Sequence, residues 1–163
     1  MPRHVHGSVL SCNEPAGHLD SGMTIHVACL PGAMGHPGVV MAGARRVVVL
    51  GASPKTYRYS NLALRSLKEH GHEPVPVNPA HREILGIPVA ASLAEVSHPV
   101  DTVTLYVSPD RLHDMVGDVL ALKPRRIIAN PGAECDAMRG AAEAAGVEYL
   151  EACTLVLLSI GKF

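Results

Sequence analysis

From residue 44 onward, the chain alternates between short uninterrupted apolar runs and apolar residues at helical spacing. The uninterrupted runs predict strands buried on both faces, which is typical of a parallel sheet. The spaced residues, such as Leu62, Leu64 and Leu67 ahead of His70-Gly71, predict amphipathic helices. We predict strands over residues 47–50, 74–77, 102–107, 126–129 and 147–150, and helices over residues 60–70, 109–122, 134–145 and 154–160.

Between the second and third predicted strands, residues 84–89 are interpreted as a surface stretch and Ser92 as the cap of a helical turn through Val96. The final segment, 154–160, is too short to span a bilayer and is interpreted as a docking helix. The order of strands and helices predicts an α/β fold: a three-layer, doubly wound parallel sheet with right-handed crossovers, Rossmann-like in topology.

Residues 1–43 have a different composition. They hold five of the ten histidines, two of the four cysteines and seven of the fifteen glycines, with no helical or strand period. We interpret them as a disordered N-terminal extension or a misassigned start, with Met41 just ahead of a domain over 44–163. Their His and Cys spacings match no zinc pattern, so we expect no metal site.

Composition narrows the class of partner. Fourteen basic and fifteen acidic residues give a net charge of -1 with no block of like charge, which argues against nucleic acid and anionic membranes. One Phe, four Tyr and no Trp leave few rings on which bases could stack. No apolar run approaches the ~20 residues that span a bilayer, so we expect a soluble cytoplasmic protein.

A ligand of an open α/β sheet binds beyond the carboxyl ends of the strands. Four loops of small or turn-forming residues follow those ends. Gly51 permits a tight turn, and Lys55 and Arg58 add positive charge just ahead of a helix N-terminus, a combination that suits phosphate. The candidate binding residues in these loops are Gly51, Ala52, Ser53, Pro54, Lys55, Arg58, Ser60, Asn78, Pro79, His81, Val107, Ser108, Pro109, Asn130, Pro131 and Gly132.

The class of phosphorylated ligand is constrained by what these loops lack. The first loop is not G-x-G-x-x-G, and the second strand ends in Asn78 where an NAD site usually has an acidic residue. There is also no G-x-x-x-x-G-K-[ST] motif of nucleoside triphosphatases. An NADP-dependent oxidoreductase or transferase, with Lys55 and Arg58 on the 2'-phosphate, remains an alternative.

Several spaced motifs carry a resemblance over residues 45–163. They are Val49-Leu50-Gly51-Ala52-Ser53-Pro54, Arg58-Tyr59-Ser60, Val77-Asn78-Pro79, Ile84-Leu85-Gly86, Ser92-Leu93 and Val100-Asp101. Together they resemble the small stand-alone CoA-binding proteins, which are similar to the N-terminal domain of succinyl-CoA synthetase alpha subunits. The resemblance implies a Rossmann-like domain that binds coenzyme A or an acyl-CoA.

The resemblance also implies where the ligand lies. The Gly51-Ala52-Ser53 loop and Arg58 would hold the CoA phosphates, while Asn78-Pro79 and Val107-Ser108-Pro109 would line the adenine and pantetheine path. Many relatives carry a Gln-x-Gly turn and an Asp-Arg-Cys motif, where this chain has Asn130-Pro131-Gly132 and Glu151-Ala152-Cys153. These departures mark a distinct subgroup.

No catalytic constellation is recognised. Cys135, at a predicted helix start, is interpreted as inert because no base accompanies it in the sequence. Cys153 follows the last strand, where a mixed disulfide with CoA is conceivable, and is interpreted as a buried, inert cysteine. His81 and His113 are possible ligand contacts, and Ser53 has no evident His/Asp partner. We therefore expect a non-enzymatic binding module with a regulatory or carrier role, without ligase activity, and with a homodimer or another protein as its macromolecular partner.

Overall fold

Parallel strands with helices on both faces form the described part of the molecule, which in this computed structural model is residues 43–163. The strands are β1 Arg46–Leu50, β2 Glu73–Val77, β3 Glu83–Ile84, β4 Ile87–Pro88, β5 Thr102–Leu105, β6 Arg126–Ala129 and β7 Glu148–Glu151. The helices are α1 Tyr59–Glu69, α2 Pro109–Asp114, α3 Val116–Ala121, α4 Asp136–Ala144 and α5 Thr154–Ser159. The predicted extension, apart from Gly43, lies outside the described residues.

The five main strands pair in the order β2-β1-β5-β6-β7, and all four pairings are parallel. β3 and β4 form a separate antiparallel hairpin. The main sheet is buried on both sides: Val47 and Val49 pack with residues of α1 and α5, whereas Val48 and Leu50 pack with residues of α2, α3 and α4. The predicted three-layer, doubly wound sheet is therefore confirmed.

The predicted helix over 109–122 is wrong as a single element. It breaks at Met115, where the backbone has φ -102° and ψ 2° and the Met115 N–H bonds to the Leu112 carbonyl three residues back. This tighter turn separates α2 from α3. Gly117 in the next turn further lowers helix propensity.

Other boundaries move by one or two residues. The third main strand ends at Leu105 rather than Val107. The Tyr106 N–H still donates to the Leu50 carbonyl, but the chain leaves the sheet after it. Ser92 precedes a short 3-10 turn, Leu93–Glu95, and makes no side-chain cap. The α4 helix starts after Cys135, and β7 is shifted by one residue to Glu148–Glu151. The docking helix is confirmed as α5, whose buried Leu158 packs in one cluster with Leu64 of α1.

The amino ends of the strands carry a charged network centred on Asp101. Although partial burial alone would raise the pKa of this carboxyl group, hydrogen bonds from Arg125 and Thr102 and the nearby guanidinium charges lower it. His72 lies beside the network, accepts a hydrogen bond from the Arg45 N–H at 3.3 Å and packs against the Phe163 ring at 5.0 Å. Burial, followed by the charges of Arg45 and His70, lowers the pKa of His72 below its ordinary 6.5.

This shift predicts an acid sensitivity. Below about pH 6.5 the unfolded chain protonates His72 while the folded chain does not, so the free energy of unfolding falls as the pH falls toward the lowered pKa. We expect His72→Gln, which keeps a hydrogen-bond acceptor, to reduce the slope of stability against pH between 6.5 and 5 in urea unfolding. His113→Gln, at an exposed site, is the control. Equal slopes in His72→Gln and the native chain would contradict the assignment.

Candidate functional site

A cavity of about 600 Å³ opens at the carboxyl edge of the sheet, where the loops after β1 and β5 diverge. The chain leaves β1 through α1 on one face and leaves β5 through α2 on the other, so strand order reverses between these neighbours. Such a switch point is where open α/β sheets bind ligands. The cavity thus lies where the loop pattern predicts a site.

Twelve of the sixteen predicted site residues line this cavity. They are Gly51, Ala52, Ser53, Lys55, Arg58, Ser60, Asn78, Val107, Ser108, Asn130, Pro131 and Gly132. Pro54, Pro79, His81 and Pro109 are outside the lining. Five lining residues escaped the sequence analysis, namely Tyr59, Leu105, Tyr106, Arg111 and Ala133.

Gly51 allows the first loop to pass close to the end of β5. It has a φ of +86°, and a Cβ atom at this position would lie 2.8 Å from both the Tyr106 carbonyl oxygen and Val107 Cγ2. Both contacts are shorter than side chains tolerate, and one of them is with backbone. The apposition of the β1 and β5 loops, and hence the wall of the cavity, depends on glycine here.

The backbone of the first loop is tied to β2. The N–H groups of Gly51 and Ala52 both donate to the Val77 carbonyl, at 3.1 and 3.3 Å. Asn78 Nδ2 donates to the Ala52 carbonyl at 2.7 Å, and Asn78 Oδ1 accepts from the Ala80 N–H at 2.8 Å. These groups are therefore engaged within the fold, and in this conformation Gly51 and Ala52 shape the site without offering N–H donors.

Asn61, fully buried in the first turns of α1, fixes the other end of the loop. Its Nδ2 donates to the Ser53 carbonyl at 2.8 Å, and its Oδ1 accepts from Arg65 Nε at 3.1 Å. Sequence reasoning missed it because a polar residue in an amphipathic helix is ordinarily assigned to the exposed face. The sequence offered one indication of this role, which is the position of Asn61 eight residues after Ser53 in the first loop.

The cavity is positively charged. Lys55, Arg58 and Arg111 line it, and among residues 43–163 no Asp or Glu does. The α1 helix also begins at this wall, and among the described residues no acceptor bonds the N–H groups of Tyr59 and Ser60 in its first turn. Free N–H groups and a helix dipole favour an anion. The net charge of -1 for the whole chain gives no sign of this local concentration of positive charge.

Asn130 lies in the cavity wall, but its side chain is a structural tie. Its Nδ2 donates to Thr104 Oγ1 at 2.7 Å and to the Leu105 carbonyl at 3.0 Å, while its Oδ1 accepts from the Thr154 N–H at 2.8 Å. The hydroxyls of Thr104 and Thr154 bond each other at 2.6 Å. This buried network joins β5, β6 and α5 and leaves no amide group of Asn130 for a ligand.

Tyr106 lines the cavity beside that network. Its hydroxyl is buried close to the Thr104 and Thr154 hydroxyls, which bond each other. Burial is the main cause that raises the pKa of Tyr106 to about 12. The phenol therefore stays protonated at neutral pH.

The candidate thiol and imidazole groups lie apart from the cavity lining. Cys135 is buried and its N–H donates to the Tyr149 hydroxyl at 3.2 Å, while Cys153 is half-buried ahead of α5. His81 and His113 do not line the cavity. Within residues 43–163, no group of three or more His, Cys, Asp or Glu side chains is arranged to hold a metal ion. No helix in this range combines the length and apolar character needed to cross a membrane.

Comparison with known proteins identifies the family. Residues 45–159 match the family described as the CoA binding domain. The uncharacterized protein YneT of Bacillus subtilis (strain 168) is 28% identical over 81 residues, which are 50% of this chain and 60% of the Bacillus protein. The match thus spans less than two thirds of that relative.

Solved structures share the fold. The crystal structure of an uncharacterized protein has a TM-score of 0.70 and 41% identity, covering 74% of this chain and 98% of that one. The dinucleotide-forming acetyl-coenzyme A synthetase 1 of Ca. Korarchaeum cryptofilum, at 20% identity and a TM-score of 0.58, matches over 66% of this chain and 25% of its own. With a family match over most of its length and the switch-point cavity its fold creates, this chain belongs to the CoA binding domain family.

Proposed function

We propose that the protein binds coenzyme A or an acyl-CoA in the switch-point cavity and serves as a non-catalytic module with a regulatory or carrier role. The observation that carries the proposal is a cavity at the start of α1, in a chain of the CoA binding domain family, whose described lining has three cationic side chains and no carboxylate. The ligand's phosphates supply the matching negative charge.

The phosphates are assigned to the wall formed by the first loop and α1. Lys55 and Arg58 lie just before the start of this helix, and Arg111 lies in α2 on the other side of the cavity. The N–H groups of Tyr59 and Ser60 add donors, whereas those of Gly51 and Ala52 are engaged by Val77. Guanidinium groups suit this role because they bind phosphate oxygens bidentately.

The remainder of the ligand is assigned to the loops after β2 and β5. Asn78, Val107 and Ser108 line the cavity there. A volume of about 600 Å³ falls within the ordinary range of small-molecule sites. The adenine and pantetheine groups would occupy this part.

A dinucleotide is less well matched. An NAD site uses an acidic side chain at the end of the second strand to bind ribose hydroxyls. Here the position is Asn78, and both its amide nitrogen and its oxygen are engaged by the backbone of residues 52 and 80. This engagement favours CoA over NAD and leaves NADP as the weaker alternative.

The proposed lack of catalysis rests on the lining. None of the described residues that line the cavity is His, Cys, Asp or Glu, which are frequent acids, bases and nucleophiles of enzymes. Tyr106, with its pKa raised by burial to about 12, is poorly suited to exchange protons at neutral pH. We expect acetyl-CoA to release no free thiol when it is incubated with the protein and water.

A ligand panel tests the assignment. We expect CoA and acetyl-CoA to raise the melting temperature of the full chain in a concentration-dependent way, because a ligand that binds only the folded state stabilises it. NAD and NADP serve as comparison ligands at the same ionic strength. Stabilisation by NADP alone would refute the proposal.

Arg58→Ala is expected to weaken CoA binding roughly 10- to 150-fold, which corresponds to the loss of about 1.5 to 3 kcal/mol for a hydrogen bond to a charged group. The dissociation constant is measured by titration calorimetry. Arg82→Ala removes the same charge from an exposed residue outside the cavity lining and is the matched control. An unchanged affinity in Arg58→Ala would remove Arg58 from the site.

A further inference from the structure

A second cavity, of about 950 Å³, lies at the opposite edge of the sheet, at the amino ends of the strands. Its basic lining residues are Arg45, Arg46, Lys68, Lys123 and Arg125. Its acidic lining residues are Glu73 and Asp101, and Pro74 and Ile87 contribute apolar surface. The cavity therefore combines an excess of positive charge with an apolar wall.

The two carboxylates already have partners. Asp101 lies 3.1 Å from Arg125 and 3.9 Å from Arg45, and Glu73 lies 3.5 Å from Arg46. Across the described residues, neither Lys68 nor Lys123 has a carboxylate within 4.0 Å. Glu148, outside the lining, also pairs with Arg125 at 3.3 Å, which leaves Lys68 and Lys123 as the lining cations without a carboxylate partner in the described residues.

Two guanidinium groups at this edge are only partly paired within the described residues. The Nε atoms of Arg46 and Arg126 are both inaccessible to solvent and have no hydrogen-bond partner in residues 43–163. Arg126 is only 5% exposed, and the Phe163 ring covers one face of its guanidinium at 4.7 Å. Arg46 lines the cavity and its side chain is 27% exposed, so the accessible part of its guanidinium group can donate to a ligand oxygen.

We propose that this amino-edge cavity binds a small organic anion. Its carboxylate or phosphate group would accept from Arg46 and lie near Lys68 and Lys123, and its apolar part would pack on Pro74 and Ile87. Guanidinium groups bind both kinds of oxyanion in the same bidentate way. The site is separate from the switch-point cavity, because the two lie at opposite ends of the same parallel strands.

Benzoate and phenyl phosphate are suitable probes, because they carry the same ring and differ in the charged group. The Nε–H signal of Arg46 is followed by two-dimensional NMR in the full-length Arg58→Ala protein, which keeps the amino edge intact while weakening the proposed CoA site. A saturable shift with either probe, absent with sodium chloride at equal ionic strength, supports the site. A response to only one of the two probes shows whether the site takes a carboxylate or a phosphate group. No saturable shift with either probe overturns the proposal, whatever the outcome for CoA.

Lys123 offers a charge-removing variant that spares the fold. It has a φ of +48°, a conformation in which glycine is unstrained, so Lys123→Gly removes the charge without opposing the backbone. We expect Lys123→Gly, and Lys68→Gln on exposed α1 surface, each to weaken probe binding roughly two- to fivefold, as the loss of one exposed charge contact does. Arg82→Gln controls for net charge. An equal loss in Arg82→Gln would show non-specific attraction and overturn the proposal.

Discussion

We expect Gly51→Ala to lower the free energy of unfolding by about 2 to 5 kcal/mol and to abolish the stabilisation by CoA. Two costs add. A side chain at a φ of +86° strains the backbone by about 1 to 3 kcal/mol. A Cβ atom 2.8 Å from the Tyr106 carbonyl oxygen and from Val107 Cγ2 adds an overpacking cost of similar size. Relief requires the β1 and β5 loops to separate, which displaces the wall of the cavity.

Gly132→Ala is the matched control for this prediction. Gly132 lines the same cavity with a φ of +87°, but a Cβ atom there meets nothing within 4 Å. The control therefore carries the backbone strain without the collision. Urea unfolding of both variants isolates the steric part, and we expect Gly51→Ala to be the less stable. Equal losses would mean that the close approach of the two loops does not matter.

Val107→Ala in the Gly51→Ala background sharpens the test. It removes the Cγ2 atom but leaves the Tyr106 carbonyl, so only part of the stability is expected to return. Because the two residues are in contact, their effects should not add, and the difference from additivity measures the collision directly. Full rescue would place the clash in the side chain alone.

The hydrophobic pattern was sufficient to predict the three layers of this fold, because the strands are buried on both faces. The run Val47–Leu50 had to contact helices on both sides, and the alternation of runs with helical periods then required crossovers. The break at Met115 could not be read in the same way, since the apolar spacing from Leu112 to Leu120 continues through it. Hydrogen-bond geometry, not hydrophobic period, ends α2.

The candidate site was predictable to the extent that it follows from strand polarity. Loops after parallel strands must share one edge, so the residues after β1, β2, β5 and β6 were brought together as expected. Arg111 and Tyr59 were not predicted because they lie in the first turns of helices. The direction in which such a turn points depends on how the helix packs beside the cavity, which the sequence pattern does not give. That Arg58 binds the ligand is a prediction that Arg58→Ala tests.

The residue types in the sequence also could not distinguish side chains that contact a ligand from side chains that stabilise the site through hydrogen bonds within the fold. Asn78 and Asn130 both follow strand ends, where a polar side chain is a natural ligand contact. The structure engages both amides within the fold. Their roles are distinguished by burial: Asn78 is half-buried beside the first loop, whereas Asn130 is 4% exposed within a network.

Asn130→Leu is therefore expected to lower the free energy of unfolding by about 2 to 4 kcal/mol. The substitution keeps the branching and the number of side-chain heavy atoms but removes three hydrogen bonds, leaving the buried Leu105 carbonyl and the Thr154 N–H without their partner. Each buried group left unsatisfied costs about 1 to 3 kcal/mol. The comparable variant Asn78→Leu should cost less, because water can reach the groups it leaves behind.

A double-mutant cycle with Thr104→Val tests the network itself. Thr104 Oγ1 accepts from Asn130 Nδ2 at 2.7 Å and pairs with Thr154 Oγ1 at 2.6 Å, so each single variant already breaks the Thr104–Asn130 bond. We expect the double variant to be more stable than the sum of the two losses predicts, by about 0.5 to 3 kcal/mol. Additive losses would mean that Asn130 and Thr104 act independently. In that case the tie between β5, β6 and α5 would rest on the Leu105 and Thr154 backbone bonds alone.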